Sequence, residues 1–260
     1  MPDFVTDDHV RLNYEVYGEG AYVLFCLHWM GGSAGLWREW CEGLDPKMYR
    51  AIALDLRGHG CSTREPCTFT LSRLAQDVIE LADCLLVPRF VVAGHSFGGK
   101  VAFQLAATEP ARVRGLILIG AVGPGCVDLP RETVTHILDH AGDLGFLEDA
   151  FRSWFSVGSR AIIHDALVAF SRTPRWALQA VAEIGIYTDA TAAIAGIVAP
   201  ALVISGDSDP VYGHLYQHEA VLRHLPNGQF ASVAACGHGL IFERPREIGA
   251  LARTFLAALP

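Results

Sequence analysis

Short apolar runs alternate with segments of helical periodicity along the first half of the chain. Residues 9–17 alternate between polar and apolar side chains, a pattern typical of a half-exposed edge strand. Continuous apolar runs follow, and each is typical of a strand that is buried on both faces of a mostly parallel sheet. These runs cover residues 21–27, 50–56, 91–94 and 113–119.

The segment between the second and third of these runs has the spacing of an amphipathic helix. Apolar residues from Leu71 to Leu85 recur every three to four positions, and Thr70 is placed to cap the first turn. Strands that alternate with helices in this way form right-handed crossovers and an open parallel sheet. This half of the chain therefore predicts an α/β fold, with a mostly parallel β-sheet flanked by helices.

The alternation stops in the middle of the chain. Residues 124–199 have helical patterns without a strand pattern, and strand patterns return only at 201–205 and 230–234. We therefore predict a core domain at 1–123 and 200–260, with a helical lid inserted at 124–199 that carries apolar pocket residues. In the alternative interpretation, the same helices form a layer on the outside of the core.

Length, charge and cysteine usage narrow the class of protein. A chain of 260 residues fits one large α/β domain. A formal charge of -8 without a basic cluster argues against nucleic acid as a partner. No apolar run approaches the roughly 20 residues needed to cross a bilayer, and the acidic start lacks a signal sequence, so we expect a cytoplasmic protein with no membrane partner. Seven cysteines without a C-x-x-C pair are typical of reduced thiols.

One strand pattern leads directly into a serine that lies between glycines. The sequence Gly94-His95-Ser96-Phe97-Gly98 joins an apolar run to an apolar helical pattern. A serine at such a corner is forced toward positive φ, and the flanking glycines allow the strand and the helix to approach closely. The hydroxyl then stands above the carboxyl end of the sheet, beside the N–H groups that open the helix. The context therefore predicts that Ser96 is a nucleophile.

Two later turns contain the partners that a nucleophilic serine needs. Asp207 and Asp209 follow the first of the returning strand patterns, and His238 follows the second. Both turns are therefore expected at the same sheet edge as Ser96. The order Ser, Asp, His along the chain is the one expected when the nucleophile lies in a strand-to-helix corner. From the residues alone, Asp207 and Asp209 both stay open as the acid.

No motif in the chain predicts a cofactor. There is no H-E-x-x-H string and no Cys/His cluster, so we expect no metal. No glycine-rich phosphate loop opens a helix after a strand pattern, so a nucleotide cofactor is not implied either. A small-molecule substrate without a cofactor is the expectation that remains.

The chain resembles the α/β-hydrolase fold family over nearly its whole length. Besides the serine turn, three stretches carry the resemblance: His28-Trp29-Met30-Gly31-Gly32-Ser33, Asp55-Leu56-Arg57-Gly58-His59-Gly60-Cys61-Ser62 and Gly237-His238. The resemblance implies that Ser96 is the nucleophile, that His238 is its base and that a carboxylate orients the imidazole. The family pattern places this acid three residues after the turn glycine, which favours Asp209 over Asp207.

The same resemblance implies two backbone N–H donors for the oxyanion of a tetrahedral intermediate. One is the N–H of Phe97, and the family pattern assigns the other to Met30. Trp29 stands where the family usually has a glycine, so the N–H of Trp29 stays open as an alternative donor. We expect His28 and His59 to bond to the loop backbone, as buried imidazoles generally do.

These residues together predict a cofactor-independent serine hydrolase that cleaves a carboxylic ester, a lactone or a thioester through an acyl-enzyme. A C–C bond hydrolase and a cofactor-free haloperoxidase or perhydrolase stay open on the same triad, as does a ligand receptor of this fold without turnover. An apolar lid favours a hydrophobic ester as the small-molecule partner. The candidate substrate-binding residues are Trp29, His95, Trp154 and Trp176.

Overall fold

The computed structural model describes residues 2–156 and 160–260, and a single sheet organises them. Its strands are β1 (Asp3–Val5), β2 (Arg11–Tyr17), β3 (Tyr22–Leu27), β4 (Tyr49–Leu54), β5 (Phe90–His95), β6 (Val113–Ile119), β7 (Ala201–Gly206) and β8 (Gly228–Val233). Within those two ranges, the eight strands follow the order β1-β2-β4-β3-β5-β6-β7-β8. The six strands from β3 to β8 run parallel. The predicted α/β class is confirmed.

The strand predicted from residues 9–17 does not lie at the edge of the sheet. β2 pairs antiparallel with β1 on one side and with β4 on the other. The alternating pattern indicated the strand correctly, but the prediction of an edge position was wrong. The reason is that the three residues of β1 add a short strand outside it, and three residues are too few to produce a recognisable alternation.

Helices cover both faces of the sheet. They are α1 (Arg38–Glu42), α2 (Leu71–Cys84), α3 (Phe97–Thr108), α4 (Arg131–Asp139), α5 (Leu144–Ala150), α6 (Arg160–Arg172), α7 (Arg175–Ile186), α8 (His214–Tyr216), α9 (Leu240–Glu243) and α10 (Pro245–Ala257). Apolar side chains of α2 and α3 pack on one face, and those of α1 and α10 pack on the other. Thr70 caps α2 as predicted, because its hydroxyl accepts from the N–H of Arg73 at 3.1 Å. No helix in the described ranges has the length and apolarity to cross a bilayer.

The helices α4 to α7 lie between β6 and β7. Within residues 124–156 and 160–199 there is no strand. Most of the buried apolar side chains of these helices, such as Leu147, Leu167 and Phe170, form a cluster of their own, while Ala166 and Val181 join the clusters on the sheet faces. The helices therefore have a small core of their own and also pack on the sheet domain. The boundaries of the insertion and its action as a lid stay predictions.

The carboxyl ends of the parallel strands meet at one edge of the sheet, and this edge positions the site. Ser96 follows β5 directly, Asp209 lies in the turn after β7, and His238 lies in the loop after β8. β5, β6, β7 and β8 are consecutive neighbours in the sheet. The loop that begins at His28 leaves β3, the neighbour of β5 on its other side. Residues far apart along the chain are therefore brought to one place.

Candidate active site

Ser96 occupies a strained corner between β5 and α3. Its backbone has φ 52° and ψ -116°, a region that residues with a Cβ rarely adopt. The glycines on either side are required by close contact. A Cβ on Gly94 would lie 2.5 Å from the carbonyl oxygen of Gly98, and a Cβ on Gly98 would lie 2.1 Å from that of Leu27. Strain that the surrounding structure holds in place is typical of functional positions.

The side chains of Ser96, His238 and Asp209 form one hydrogen-bonded row. His238 Nε2 lies 3.0 Å from Ser96 Oγ, and His238 Nδ1 lies 2.9 Å from Asp209 Oδ2. The three residues are 6%, 1% and 7% exposed, so little bulk water competes for these bonds. Because a carboxylate only accepts, Nδ1 carries the imidazole proton and Nε2 is free to accept from the serine hydroxyl. This is the arrangement in which an imidazole can act as a base toward the serine.

The carboxylate of Asp209 is held at both of its oxygens. Oδ1 accepts from the N–H groups of Val211 and Tyr212 at 2.8 and 3.0 Å, which turns Oδ2 toward His238. Burial raises the pKa of Asp209, but the neighbouring imidazole and the two backbone donors outweigh it and hold the pKa below its usual value. Asp209 is therefore an anion that can stabilise a protonated His238.

Asp207 lies two residues away and faces solvent. Its carboxylate accepts from Ser208 Oγ at 2.8 Å and from the N–H of Cys236 at 3.4 Å. These contacts make Asp207 a turn residue that ties the β7 turn to the loop after β8. The two candidates that the sequence left open thus have different surroundings, and Asp209 is the one beside the imidazole.

His95 lies behind the imidazole of His238 and outside the lining of the cavity described below. It is fully buried, and its Nε2 donates to the backbone carbonyl of His238 at 2.8 Å. Burial lowers the pKa of His95 to about 3, so the ring is neutral. Its ring also stacks on Trp29, with centroids 5.9 Å apart. The side chain of His95 thus packs under the loop that carries His238, and its contact with substrate stays a prediction.

Three backbone N–H groups near Ser96 have no acceptor within the described ranges. They belong to Phe97, the first residue of α3, and to Trp29 and Met30 in the loop after β3. All three residues line the same cavity as Ser96. Free N–H groups at a helix start and in a neighbouring loop can bind a negatively charged oxygen.

His28 sets the direction of the peptide that joins Trp29 to Met30. Its Nε2 accepts from the N–H of Leu56 at 3.1 Å, so Nδ1 carries the proton and donates to the carbonyl of Trp29 at 2.7 Å. In a trans peptide the C=O and the following N–H point in opposite directions. The N–H of Met30 therefore points away from His28, which favours Met30 over Trp29 as the second donor. Burial lowers the pKa of His28 to about 4, so this tautomer is neutral at pH 7.

A cavity of about 560 Å³ lies beside Ser96 and His238. Most of its walls come from the loop after β6 and from the helices α4 to α7, which contribute apolar side chains: Val127, Leu129, Val134, Ile137, Phe146, Phe151, Phe170 and Ile186. Asp128, which is exposed, is the single Asp, Glu, Lys or Arg among the described lining residues. The cavity can therefore bind an apolar group next to a polar reacting end.

The structure separates the two tryptophans that were expected to bind substrate. Trp154 lines the cavity, its ring lies 5.7 Å from that of His238, and its carbonyl accepts from the N–H of His238 at 2.6 Å. Trp176 lies outside the cavity lining, where its Nε1 donates to the carbonyl of Arg64 at 2.8 Å. Its indole fastens α7 to the loop after β4, and its contact with substrate stays a prediction.

Two residues were not found from the sequence, one that lines the cavity and one that is buried behind it. Tyr212 lines the cavity, and its ring centroid lies 5.4 Å from that of His238. Its position in the same turn as Asp209 could have indicated it. Lys100 is 1% exposed and lies one turn after Ser96 in α3. The only signal in its favour was a lysine within an otherwise apolar helical pattern.

The described residues contain no group of three or more His, Cys, Asp or Glu side chains placed to hold a metal ion. The side chains around Ser96 are instead arranged for a proton transfer between oxygen and nitrogen, as the row from Ser96 to Asp209 indicates.

Comparisons with known proteins show the family and the fold. A family model described as the alpha/beta hydrolase fold matches residues 22–174. A putative carbamate hydrolase RutD of Variovorax paradoxus strain S110 is 32% identical over 213 residues, which are 76% of this chain and 78% of that protein. The solved structure of a hydrolase from Pseudomonas aeruginosa PA01 is 24% identical, with a TM-score of 0.84 over 99% of this chain and 98% of the other. Est816, described as an N-acyl homoserine lactone degrading enzyme, is 25% identical, with a TM-score of 0.81 over 98% of this chain and 100% of its own.

Proposed function

The chain belongs to the alpha/beta hydrolase fold family, and on that premise we propose that it is a serine hydrolase that cleaves a carboxylic ester or lactone through an acyl-enzyme. The observation that carries this proposal is the position of the His238 ring, with one nitrogen 3.0 Å from Ser96 Oγ and the other 2.9 Å from Asp209 Oδ2. A serine hydroxyl is a weak nucleophile unless a base takes its proton as it attacks. His238 is that base.

The reaction has two halves. Ser96 Oγ attacks the carbonyl carbon while its proton moves to His238 Nε2, and the resulting imidazolium is stabilised by Asp209. The tetrahedral intermediate collapses when the C–O bond to the alcohol breaks and His238 protonates the leaving oxygen. Water then attacks the acyl group on Ser96, His238 takes its proton, and collapse returns that proton to Oγ and releases the carboxylic acid. In a lactone the alcohol and the acid are parts of one molecule.

The negative oxygen of each tetrahedral intermediate is stabilised by the N–H groups of Phe97 and Met30. A donor of this kind contributes about 3–4 kcal/mol to lowering the barrier, because it is already oriented and water is excluded. Phe97 is held by the helix start, and Met30 is held by the bond from His28 to the carbonyl of Trp29. Both donors are thus fixed before substrate binds.

The cavity walls favour a substrate with an apolar arm. The Variovorax relative is named as a putative carbamate hydrolase, and a small carbamate would leave an apolar cavity of about 560 Å³ unfilled. An ester or lactone with a hydrophobic acyl or alcohol group would fill it, and each methylene that leaves water adds about 0.8 kcal/mol to binding. The name of Est816 supports the inclusion of lactones. In this proposal the helices within residues 124–199 form a lid over the apolar arm.

Labelling with a fluorophosphonate tests the proposal. Wild-type protein should be labelled on Ser96 and should hydrolyse members of a panel of p-nitrophenyl esters and lactones. Ser96→Ala should abolish both, whereas Ser208→Ala, at an exposed serine beside Asp207, should change neither. A folded wild-type protein that is not labelled and turns over no member of the panel would overturn the proposal. If it still bound apolar esters, the receptor alternative would hold instead.

A further inference from the structure

Lys100 is a buried lysine whose charge is satisfied by backbone carbonyls. It lies one helical turn after Ser96, is 1% exposed, and donates from Nζ to Gly125 O at 3.0 Å, to Gly185 O at 3.0 Å and to Thr188 O at 2.6 Å. An ammonium group has three donors and no acceptor, so three carbonyls use its full capacity. Buried lysines are rare because burial of a charge is costly unless it is compensated.

The three carbonyls belong to the two ends of the helical segment between β6 and β7. Gly125 lies where this segment begins, Gly185 lies in the last turn of α7, and Thr188 follows that helix. The carbonyl end of a helix carries partial negative charge, which favours a cation there. Lys100 therefore joins both ends of the segment to α3, the helix that begins at the nucleophile.

The two ends are also bonded to each other. The N–H of Val127 donates to the carbonyl of Ile186 at 2.8 Å, and the N–H of Ala190 donates to that of Pro124 at 2.8 Å. Val127 and Ile186 both line the cavity. A change in the position of these ends would therefore move two walls of the cavity at once.

The groups around the ammonium point to a geometric role. Cys126 and Asp189 are the nearby ionisable residues, and Asp189 is an exposed carboxylate that accepts from the N–H of Thr191. Within the described ranges no carboxylate lies within ion-pair distance of Lys100. Lys100 also does not line the cavity. Its contacts consequently fix backbone positions, and they place no charge beside a substrate.

We propose that Lys100 is a positioning residue that fastens both ends of the segment 124–190 to α3 and thereby sets the width of the cavity beside Ser96. The inference rests on the proposed function, because substrate selection is read through turnover. When the ammonium is removed, three buried carbonyls lose their donor and the ends of the segment separate from α3. The chemistry at Ser96 is untouched, since its partners are His238 and Asp209.

The test compares Lys100→Met with Gln104→Met, which alters a buried polar side chain one turn further along the same helix. Lys100→Met should raise KM for p-nitrophenyl octanoate by about tenfold while kcat for p-nitrophenyl acetate changes by less than about twofold. Gln104→Met should leave the ratio of kcat/KM for the octanoate to kcat/KM for the acetate unchanged. A folded Lys100→Met variant with the wild-type ratio of kcat/KM values would overturn the inference. An equal loss of kcat/KM for both esters would also overturn it.

Amide hydrogen exchange provides a readout that is independent of turnover. In Lys100→Met, amides of residues 124–130 and 175–190 should exchange faster than in wild type, while amides of β5 and β6 should not. If Lys100→Met does not fold, Lys100→Gln, which retains a shorter N–H donor, replaces it in the same comparison. Unchanged exchange in these segments would overturn the inference even if the protein proved to be a receptor. Absence of fluorophosphonate labelling in wild type would count against the proposed function alone.

Discussion

Asp209 Oδ2 lies 2.9 Å from Nδ1 of His238, and no other carboxylate in the described ranges makes a contact with that ring. The bond holds the imidazole in the tautomer that presents a bare Nε2 to Ser96. Two residues earlier, Asp207 bonds to Ser208 and to the N–H of Cys236 instead. The pair therefore offers a direct test of which acid acts.

Asp209→Asn should lower kcat by about 10⁴-fold, because an amide can donate to Nδ1 and so stabilise the wrong tautomer. Asp207→Asn should change kcat by less than about threefold, since its bonds only shape a turn. Steady-state hydrolysis of one p-nitrophenyl ester by both variants measures the difference. Losses of similar size, or a larger loss for Asp207→Asn, would show that the acid is misassigned.

His28→Phe should lower kcat by about 10² to 10³-fold with little change in KM, because the peptide that carries the Met30 N–H loses its orientation. His59→Phe is the matched control. The His59 ring is equally buried and lies 4.9 Å from that of His28, but its Nδ1 bonds to the carbonyl of Arg57. Urea unfolding of both variants corrects for lost stability. If kcat falls equally in the two variants, His28 does not position the oxyanion donor.

The buried histidines predict that the fold loses stability in mild acid. Burial lowers the pKa of His28 to about 4, and burial together with a neighbouring imidazole lowers the pKa of His59 and of His95 to about 3. In the unfolded chain these rings titrate near pH 6.5, so between pH 6.5 and about 4 the unfolded state binds more protons than the folded state. The stabilisation is complete above pH 6.5 and is lost as the pH falls. Each ring accounts for a loss of about 2 kcal/mol in unfolding free energy between pH 7 and pH 5.

Unfolding free energies from urea titrations at several pH values measure this effect. The unfolding free energy of His59→Asn should depend less steeply on pH than that of wild type between pH 7 and pH 5. The reason is that one of the three rings no longer takes up a proton on unfolding. An unfolding free energy that is the same at pH 7 and pH 5 would contradict the prediction.

Trp154→Ala should change the dependence of kcat/KM on acyl chain length, because this indole forms part of the cavity wall beside His238. Trp176→Ala removes a side chain of the same size from the same helical segment, but its indole bonds to the Arg64 carbonyl outside the cavity. A series of p-nitrophenyl esters from acetate to decanoate compares the two profiles. Profiles that change equally, or only in Trp176→Ala, would show that Trp154 does not shape the substrate site.

Several features followed from local pattern alone. Apolar runs predicted the buried parallel strands, and helical spacing predicted α2 together with its Thr70 cap. The glycines around Ser96 predicted the tight corner, because the need for a small residue there arises from backbone contacts within one strand-turn-helix unit. Short-range sterics and hydrophobic periodicity operate within about a dozen residues, so one sequence contains the information for them.

The sequence by itself thus determined the class of fold, the strained serine and the short set of acids and histidines from which a site could be built. Only the tertiary structure decided that Asp209 and not Asp207 faces His238, that Trp154 but not Trp176 borders the cavity, and that His95 lies behind the site. It also decided that the ammonium of Lys100 lies among three backbone carbonyls. These outcomes depend on contacts between residues that are far apart along the chain, such as Lys100 and Gly185, which are 85 positions apart. Contacts of that kind are set by packing of the whole domain, and a local sequence pattern does not contain that information.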